Sequence, residues 1–306
     1  MKSDFSELLR IRPCDIQENV PLAPYTTFRI GGPARLFAEP RSVEELRALH
    51  TLVRKLGLNW FYLGHGSNIL VADSGFDGVV IRAKGELEKI ARDRESIIAG
   101  AGARLLELTL YAARCSLSGL EQMSGIPGSV GGGLYMNAGA YGGEISDHFE
   151  YADVLSDGSQ IVRLTKSDIQ FGYRSAPELR DKVILTSCFS LVRRESSEIL
   201  TEMRRVWQLR RAKQPIEHPS AGSIFKRPPG DFAGRLIEAV EGKGFRAGGA
   251  VIPAKHAGIF INDCGASAND VATLVRTIRA RVFEKFNVML ETEILPVGFT
   301  SDPFAI

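Results

Sequence analysis

Two runs of glycine limit what this chain can fold into more than any other feature of it. Glycine supplies 31 of the 306 residues. Much of it gathers in Leu63-Gly64-His65-Gly66-Ser67-Asn68-Ile69-Leu70 and in Ser124-Gly125-Ile126-Pro127-Gly128-Ser129-Val130-Gly131-Gly132, with Asn137-Ala138-Gly139-Ala140 close behind. Backbone without Cβ atoms reaches positive φ and lets another group come close. The first run follows the apolar segment NWFYLG, so several N–H groups can converge on an anion there, with Ser67 and Asn68 adding side-chain donors. The second offers a rigid, side-chain-poor surface suited to a diphosphate and a flat ring. Each run alone reads most simply as a tight turn. Together they read as a binding surface.

The commoner nucleotide and catalytic motifs are missing. Gly242-Lys243-Gly244-Phe245-Arg246-Ala247 matches the dinucleotide fingerprint only loosely and follows a helical pattern rather than a strand. No GxxxxGK[ST] loop and no GxSxG elbow occurs, and the five histidines are isolated, so no metal site is expected. With 44% hydrophobic and 24% charged residues the composition is that of a globular protein. A net charge of +2 is too small for a nucleic-acid surface. Cys14, Cys115, Cys188 and Cys264 are scattered, which suits free thiols in a reducing compartment. The start, MKSDFSELLRIRP, has no apolar run for a signal peptide or membrane helix, and a cytoplasmic protein without membrane insertion is expected.

The periodicity alternates between strand and helix. TTFRI and ARLFAEP read as strands about a Gly31-Gly32-Pro33 turn. Ser42 and Glu45 form a capping-box pattern for a helix carrying Val43, Leu46, Leu49 and Leu52, with Gly57 as its stop. The strand NWFYLG after it suggests a parallel pairing. GVVIRA and SIIAGAGA are strand-like, and a helix is expected from about Leu105 to Leu117. YADVLS and QIVRLT flank Asp157-Gly158, a hairpin signal, and VILTSCFSLV is a further strand. A basic helix at about 197–213 reads as a connector. Beyond it, DFAGRLIEAV is helical and IFIN a strand. Asn269–Phe286 is a helix with Val271, Leu274, Val275, Ile278, Val282 and Phe286 on one face, and LETEILPV is a last strand.

Six segments carry a resemblance. TTFRIGGPA, LGHGSNILV, SGIPGSVGGGLYMNAGAYGGE, FGYRSAPE, SAGSIFKRP and LETEILPVG stand in the order seen in the UDP-N-acetylenolpyruvoylglucosamine reductase family, from about Leu22 to Gly298. The resemblance implies an α+β / α/β chain: a two-subdomain FAD-binding fold of the PCMH (vanillyl-alcohol-oxidase) type plus a C-terminal α/β substrate domain. The expected bounds are an N-terminal segment 1–20, a flavin domain 21–195 (subdomains about 21–83 and 84–195), a UDP-sugar domain 196–298 and a tail 299–306. The short stretch after Arg174 resembles the compact subclass. Thr292 stands where proline is common, and His65 fills a variable slot.

The implied reaction is reduction of UDP-N-acetylglucosamine enolpyruvate to UDP-N-acetylmuramate by NADPH through non-covalent FAD, in peptidoglycan precursor synthesis; a monomer is expected. Hydride addition at the β-carbon leaves an enediolate-like anion that fixed cations and donors must meet, and a proton must then reach the α-carbon. By resemblance, Arg174 faces the substrate carboxylate, as a planar, permanently charged fork suits. Glu293 sits near the intermediate in protonated form, although the alternation puts Glu291 on the same face. Ser223, beside Gly222, donates the proton. Gly64, His65, Gly66, Ser67, Asn68, Ile69 and Leu70 are the first cofactor-binding set. Gly125, Ile126, Pro127, Gly128, Ser129, Gly131, Gly132, Asn137, Ala138 and Gly139 are the second. Tyr173, Gly222, Lys226, Arg227, Lys255 and His256 are assigned to the substrate. The alternatives are another PCMH-type flavin oxidase or dehydrogenase acting on a sugar or alcohol, and a flavin-free UDP-sugar-binding protein.

Overall fold

The computed structural model describes residues 5–156 and 160–306. The chain divides into two units. One holds the residues up to 18, 36–65 and 78–209; the other holds 19–35, 66–77 and 210–306. The chain therefore passes between units five times, after residues 18, 35, 65, 77 and 209.

In chain order the first elements are α1 (Phe5–Ile11), β1 (Asp15–Pro21), β2 (Pro33–Glu39), α2 (Val43–Lys55), β3 (Trp60–Tyr62), β4 (Ile69–Val71) and β5 (Phe76–Ile81). One sheet runs β1–β2–β5–β3. The strands flanking α2 are not neighbours: β5 lies between them, and the parallel partner of β3 is β5, from Trp60↔Val79 to Tyr62↔Ile81. Helix α2 forms as its spacing predicts. Ser42 Oγ accepts from the Glu45 N–H at 3.1 Å, and Leu46, Leu49, Leu52 and Val53 pack against Leu36, Val79 and Ile81. The Glu45 carboxylate does not reach back to Ser42 but accepts from the Arg41 N–H at 2.7 Å, so the expected box is half formed.

The rest of the first unit follows with β6 (Ile90–Asp93), β7 (Ser96–Gly100), α3 (Leu105–Arg114), α4 (Val130–Tyr135) and α5 (Ser196–Lys213). Its antiparallel sheet runs Ile161–Thr165, Phe149–Leu155, Val183–Ser190, β7, β6. Asp157-Gly158 lies outside the described residues, although Leu155↔Ile161 closes the ladder on either side. Helix α3 stops at Arg114, earlier than expected, because Ser116 takes φ +56°. Leu105, Leu108, Val130, Leu134, Ile145 and Phe149 fill the core under this sheet.

The second unit has a sheet of order Ser220–Ser223, Ile259–Asn262, Ala250–Val251, Arg246–Ala247, with helices α6 (Ala233–Ala239) and α7 (Ala268–Phe286). Val271, Val275, Ile278 and Val282 of α7 share a core with Phe260, Phe28, Ile30 and Leu70. TTFRI is not a strand. Arg29 takes φ +58°, which breaks the alternation, and the Thr26 hydroxyl closes a loop by donating to the Ile30 carbonyl at 3.1 Å. LETEILPV is a strand only at Leu295–Val297, because its parallel partner β4 offers three residues; Thr292 makes a single bridge to Phe225.

Candidate active site

In the first unit Gly64, at the head of the first glycine run, meets the second run. A Cβ on Gly64 would lie 2.3 Å from Ser129 Oγ, and one on Gly131 would lie 2.8 Å from the Ala101 Cβ. Both glycines are thus required by the protein's own packing. Leu105 donates its N–H to the Gly128 carbonyl at 2.9 Å, and a backbone bridge sets Arg104 beside Ser129. Ser129 is buried and caps α4, accepting from the Gly132 N–H at 3.2 Å. Glu121–Gly125 forms a short 3-10 turn, and the Ile126 N–H closes on the Met123 carbonyl at 3.0 Å ahead of Pro127. His65 is half-buried. Its pKa is lowered by burial first and then by the charges of Arg104 and Arg82, so the ring is neutral at pH 7.

Two buried polar atoms here lack a protein partner, Ser124 Oγ and Asn137 Oδ1. A buried acceptor with no partner costs about 1–3 kcal/mol, and a bound ligand with N–H or O–H groups removes that cost. The residues present therefore fit a flavin nucleotide, whose ring edge and ribityl chain carry both kinds of donor. Ala138 is buried beside Asn137.

Arg174 lies at the tip of a tight turn. Gly172 and Ser175 exchange two backbone hydrogen bonds, at 2.9 and 3.1 Å, leaving Tyr173 and Arg174 as the two connecting residues. Arg174 adopts φ +54°, and its guanidinium donates through Nη2 to the Gly139 carbonyl at 3.0 Å. Tyr173 is exposed, with the guanidinium over its ring at 5.1 Å. Asn137 is fully buried and takes φ +41°. Its Nδ2 donates to the Gly172 carbonyl at 3.0 Å and to Glu144 Oε2 at 2.7 Å. Gly139 and Glu144 pair across a two-stranded ribbon, Gly139–Ala140 against Gly143–Glu144.

The remaining candidates lie in the second unit. Gly66 takes φ +63° with Tyr25 O where its Cβ would be. Ser67 is half-buried, whereas Ile69 and Leu70 are buried in β4. Asn68 Nδ2 donates to the Glu293 carbonyl at 3.0 Å, and Leu295 returns a backbone bond to the Asn68 carbonyl at 3.0 Å. The Glu293 N–H donates to Ile224 O at 2.8 Å, so Ser223 and Glu293 sit on adjoining segments. Ser223 is exposed at the end of its strand, and space beside Gly222 is open to 4 Å. Glu291 is exposed and pairs with Lys226 Nζ at 3.4 Å, whereas Glu293 is half-buried. Arg227 stacks over Phe232 at 4.8 Å, and Lys255 pairs with Glu217 at 3.5 Å. Burial lowers the His256 pKa, and its Nδ1 accepts from the Gly258 N–H at 3.2 Å.

Glu144 escaped sequence reasoning, and Ser124 was read as part of the second glycine run without a role of its own. Both lie in SGIPGSVGGGLYMNAGAYGGE, where Glu144 is the lone acid and closes the Gly142-Gly143 pair.

The chain was compared with known proteins. Residues 34–165 match the FAD binding domain family, a span holding both glycine runs. Residues 214–297 match the UDP-N-acetylenolpyruvoylglucosamine reductase, C-terminal domain family. The UDP-N-acetylenolpyruvoylglucosamine reductase of Caldicellulosiruptor saccharolyticus is 43% identical over 286 residues, 92% of either chain. That of Listeria innocua is 43% identical over 284 residues, 92% of this chain and 95% of the other. The crystal structure of the corresponding Thermus caldophilus enzyme superposes with a TM-score of 0.80 at 38% identity, covering 92% of this chain and all of that one.

Proposed function

Since this chain belongs to the UDP-N-acetylenolpyruvoylglucosamine reductase family, we propose that Arg174, Ser223 and Glu293 carry the reaction for which that family is named. The protein is an FAD-dependent oxidoreductase that reduces UDP-N-acetylglucosamine enolpyruvate to UDP-N-acetylmuramate at the expense of NADPH, a step of peptidoglycan precursor synthesis. The observation that carries this is the match of more than 90% of both chains at 43% identity, since it spans the flavin-binding and C-terminal segments together. No described helix is long and apolar enough to cross a membrane.

The residues that would hold the flavin are those of the two glycine runs, with Asn137 and Ser124 supplying buried polar atoms. FAD held there would supply the hydride, drawn from NADPH. A new C–H bond then forms at the vinyl β-carbon, and the electron pair of the C=C bond moves toward the α-carbon and carboxylate. Arg174 is proposed to meet that charge with a guanidinium that stays protonated throughout and can grip both carboxylate oxygens. Glu293 is proposed to hydrogen-bond the same anion in its protonated form; it is half-buried where Glu291 is exposed, which supports this choice. Ser223 is proposed to give its hydroxyl proton to the α-carbon. Its exposure at the end of a strand, beside open space at Gly222, leaves the oxygen reachable. Lys226 stabilises the resulting alkoxide only in part, because Glu291 draws on its charge.

An anaerobic experiment tests the reading. NADPH should bleach the yellow holoenzyme, and the enolpyruvyl UDP-sugar should restore the colour with UDP-N-acetylmuramate as product. Ser223→Ala should bleach normally and recolour slowly. Recolouring at the wild-type rate would remove Ser223 from its role.

A further inference from the structure

The Tyr173–Arg174 turn is a two-residue connection between Gly172 and Ser175. Two of its hydrogen bonds go to one short ribbon: the Gly139 carbonyl accepts from the guanidinium, and Asn137, just ahead of that strand, donates to the Gly172 carbonyl. The amide of Asn137 has only two N–H groups. One goes to Gly172 and the other to Glu144. Turning the amide over would set Oδ1 against a carboxylate and a carbonyl, two acceptors facing a third. Glu144 and the Gly172 carbonyl together set which way a fully buried amide points, and Glu144 is the partner that a substitution can remove. Glu144 is itself fixed, by its N–H donating to Asp147 Oδ2 at 2.8 Å and by its pairing with Gly139.

We propose that Glu144 is a positioning residue for Arg174: its carboxylate locks the Asn137 amide toward Gly172, and this fixes the turn that aims the guanidinium. The proposal rests on the assignment of Arg174 to the substrate carboxylate. A merely structural Glu144 would act on stability or flavin retention alike in every background. A positioning Glu144 acts on the half-reaction that needs Arg174 and acts through it.

Stopped-flow measurements on the holoenzyme separate these. In Glu144→Ala, bleaching by NADPH should stay near the wild-type rate. Recolouring by the enolpyruvyl UDP-sugar should slow by on the order of 10- to 100-fold, the scale of a roughly 1 Å misplacement of a reacting group. Glu144→Gln keeps an amide oxygen as acceptor and should recover most of that loss, whereas Asn137→Asp should reproduce it. In an Arg174→Lys background Glu144→Ala should add little further slowing, because the two act as one unit. Wild-type recolouring in Glu144→Ala, or an equal added loss in both backgrounds, overturns the proposal. So does loss of bound flavin in both Glu144→Ala and Asn137→Asp. Wild-type recolouring in Arg174→Ala is a different failure, since it sinks the role of Arg174 itself.

Discussion

At Arg174 the backbone works against the side chain it carries. Positive φ at the third position of a four-residue turn favours glycine, and a non-glycine residue there costs on the order of 1–3 kcal/mol. That an arginine occupies the position at φ +54° suggests a guanidinium worth more to the protein than the strain it brings. Arg174→Gly and Arg174→Ala both lose the charge, and both should recolour poorly with the enolpyruvyl UDP-sugar. The glycine variant should be the more stable of the two by about 1 kcal/mol, read from urea unfolding midpoints. Equal midpoints would mean that the turn is unstrained. None of this was legible in the sequence, where Arg174 was one more basic residue until the motif around it was matched. Glu291 and Glu293 were likewise inseparable by alternation. In the structure Lys226 comes back along the adjoining segment to pair with the exposed Glu291, whereas Glu293 is half-buried.

Among the elements, α7 has the most heavily satisfied end. Ser267 Oγ accepts from the Asp270 N–H at 3.0 Å, and Asp270 Oδ2 accepts in return from Ser267 at 2.9 Å. Asp73, just beyond β4, takes the N–H groups of Ala268 at 2.7 Å and Asn269 at 3.1 Å. Asp73→Ala should therefore destabilise the protein by roughly 1–2 kcal/mol, combining lost caps with lost charge at a helix N-terminus. A urea midpoint unchanged in that variant would refute this. Helices α2 and α7 were legible because apolar spacing and caps agreed. Helix α4 was not, since glycines at 131, 132 and 133 oppose helix formation. Packing overrides that preference: a Cβ on Gly131 would collide with Ala101, and one on Gly133 would crowd Leu105. TTFRI failed as a strand for the opposite reason, an alternating pattern interrupted by one left-handed residue that composition does not reveal.

At the scale of the whole molecule, acid is expected to weaken the fold before carboxylates become protonated. His65 and His256 both have pKa values lowered from 6.5, chiefly by burial. The unfolded chain then binds protons that the folded one refuses, so stability is complete above pH 6.5 and is lost as pH falls through the folded-state values. Melting temperature should fall through that window, and a variant carrying His65→Gln and His256→Gln should show a flatter slope. Much of the helix and strand order was legible, but the interleaving of the two units was not, because nothing in local periodicity says that residues 19–35 and 66–77 share a unit with 210–306. A fragment 210–306 lacks Phe28, Ile30 and Leu70 of its core and the partner of its last strand, and should show no cooperative melting by circular dichroism. The same wiring sets a schedule for biosynthesis. Leu70 leaves the ribosome 225 residues before Leu295, a wait of roughly 10–45 s at 5–20 residues per second. Until then the front segments of the second unit are made but homeless, and a premature stop codon ahead of Leu295 would leave β4 without its parallel partner.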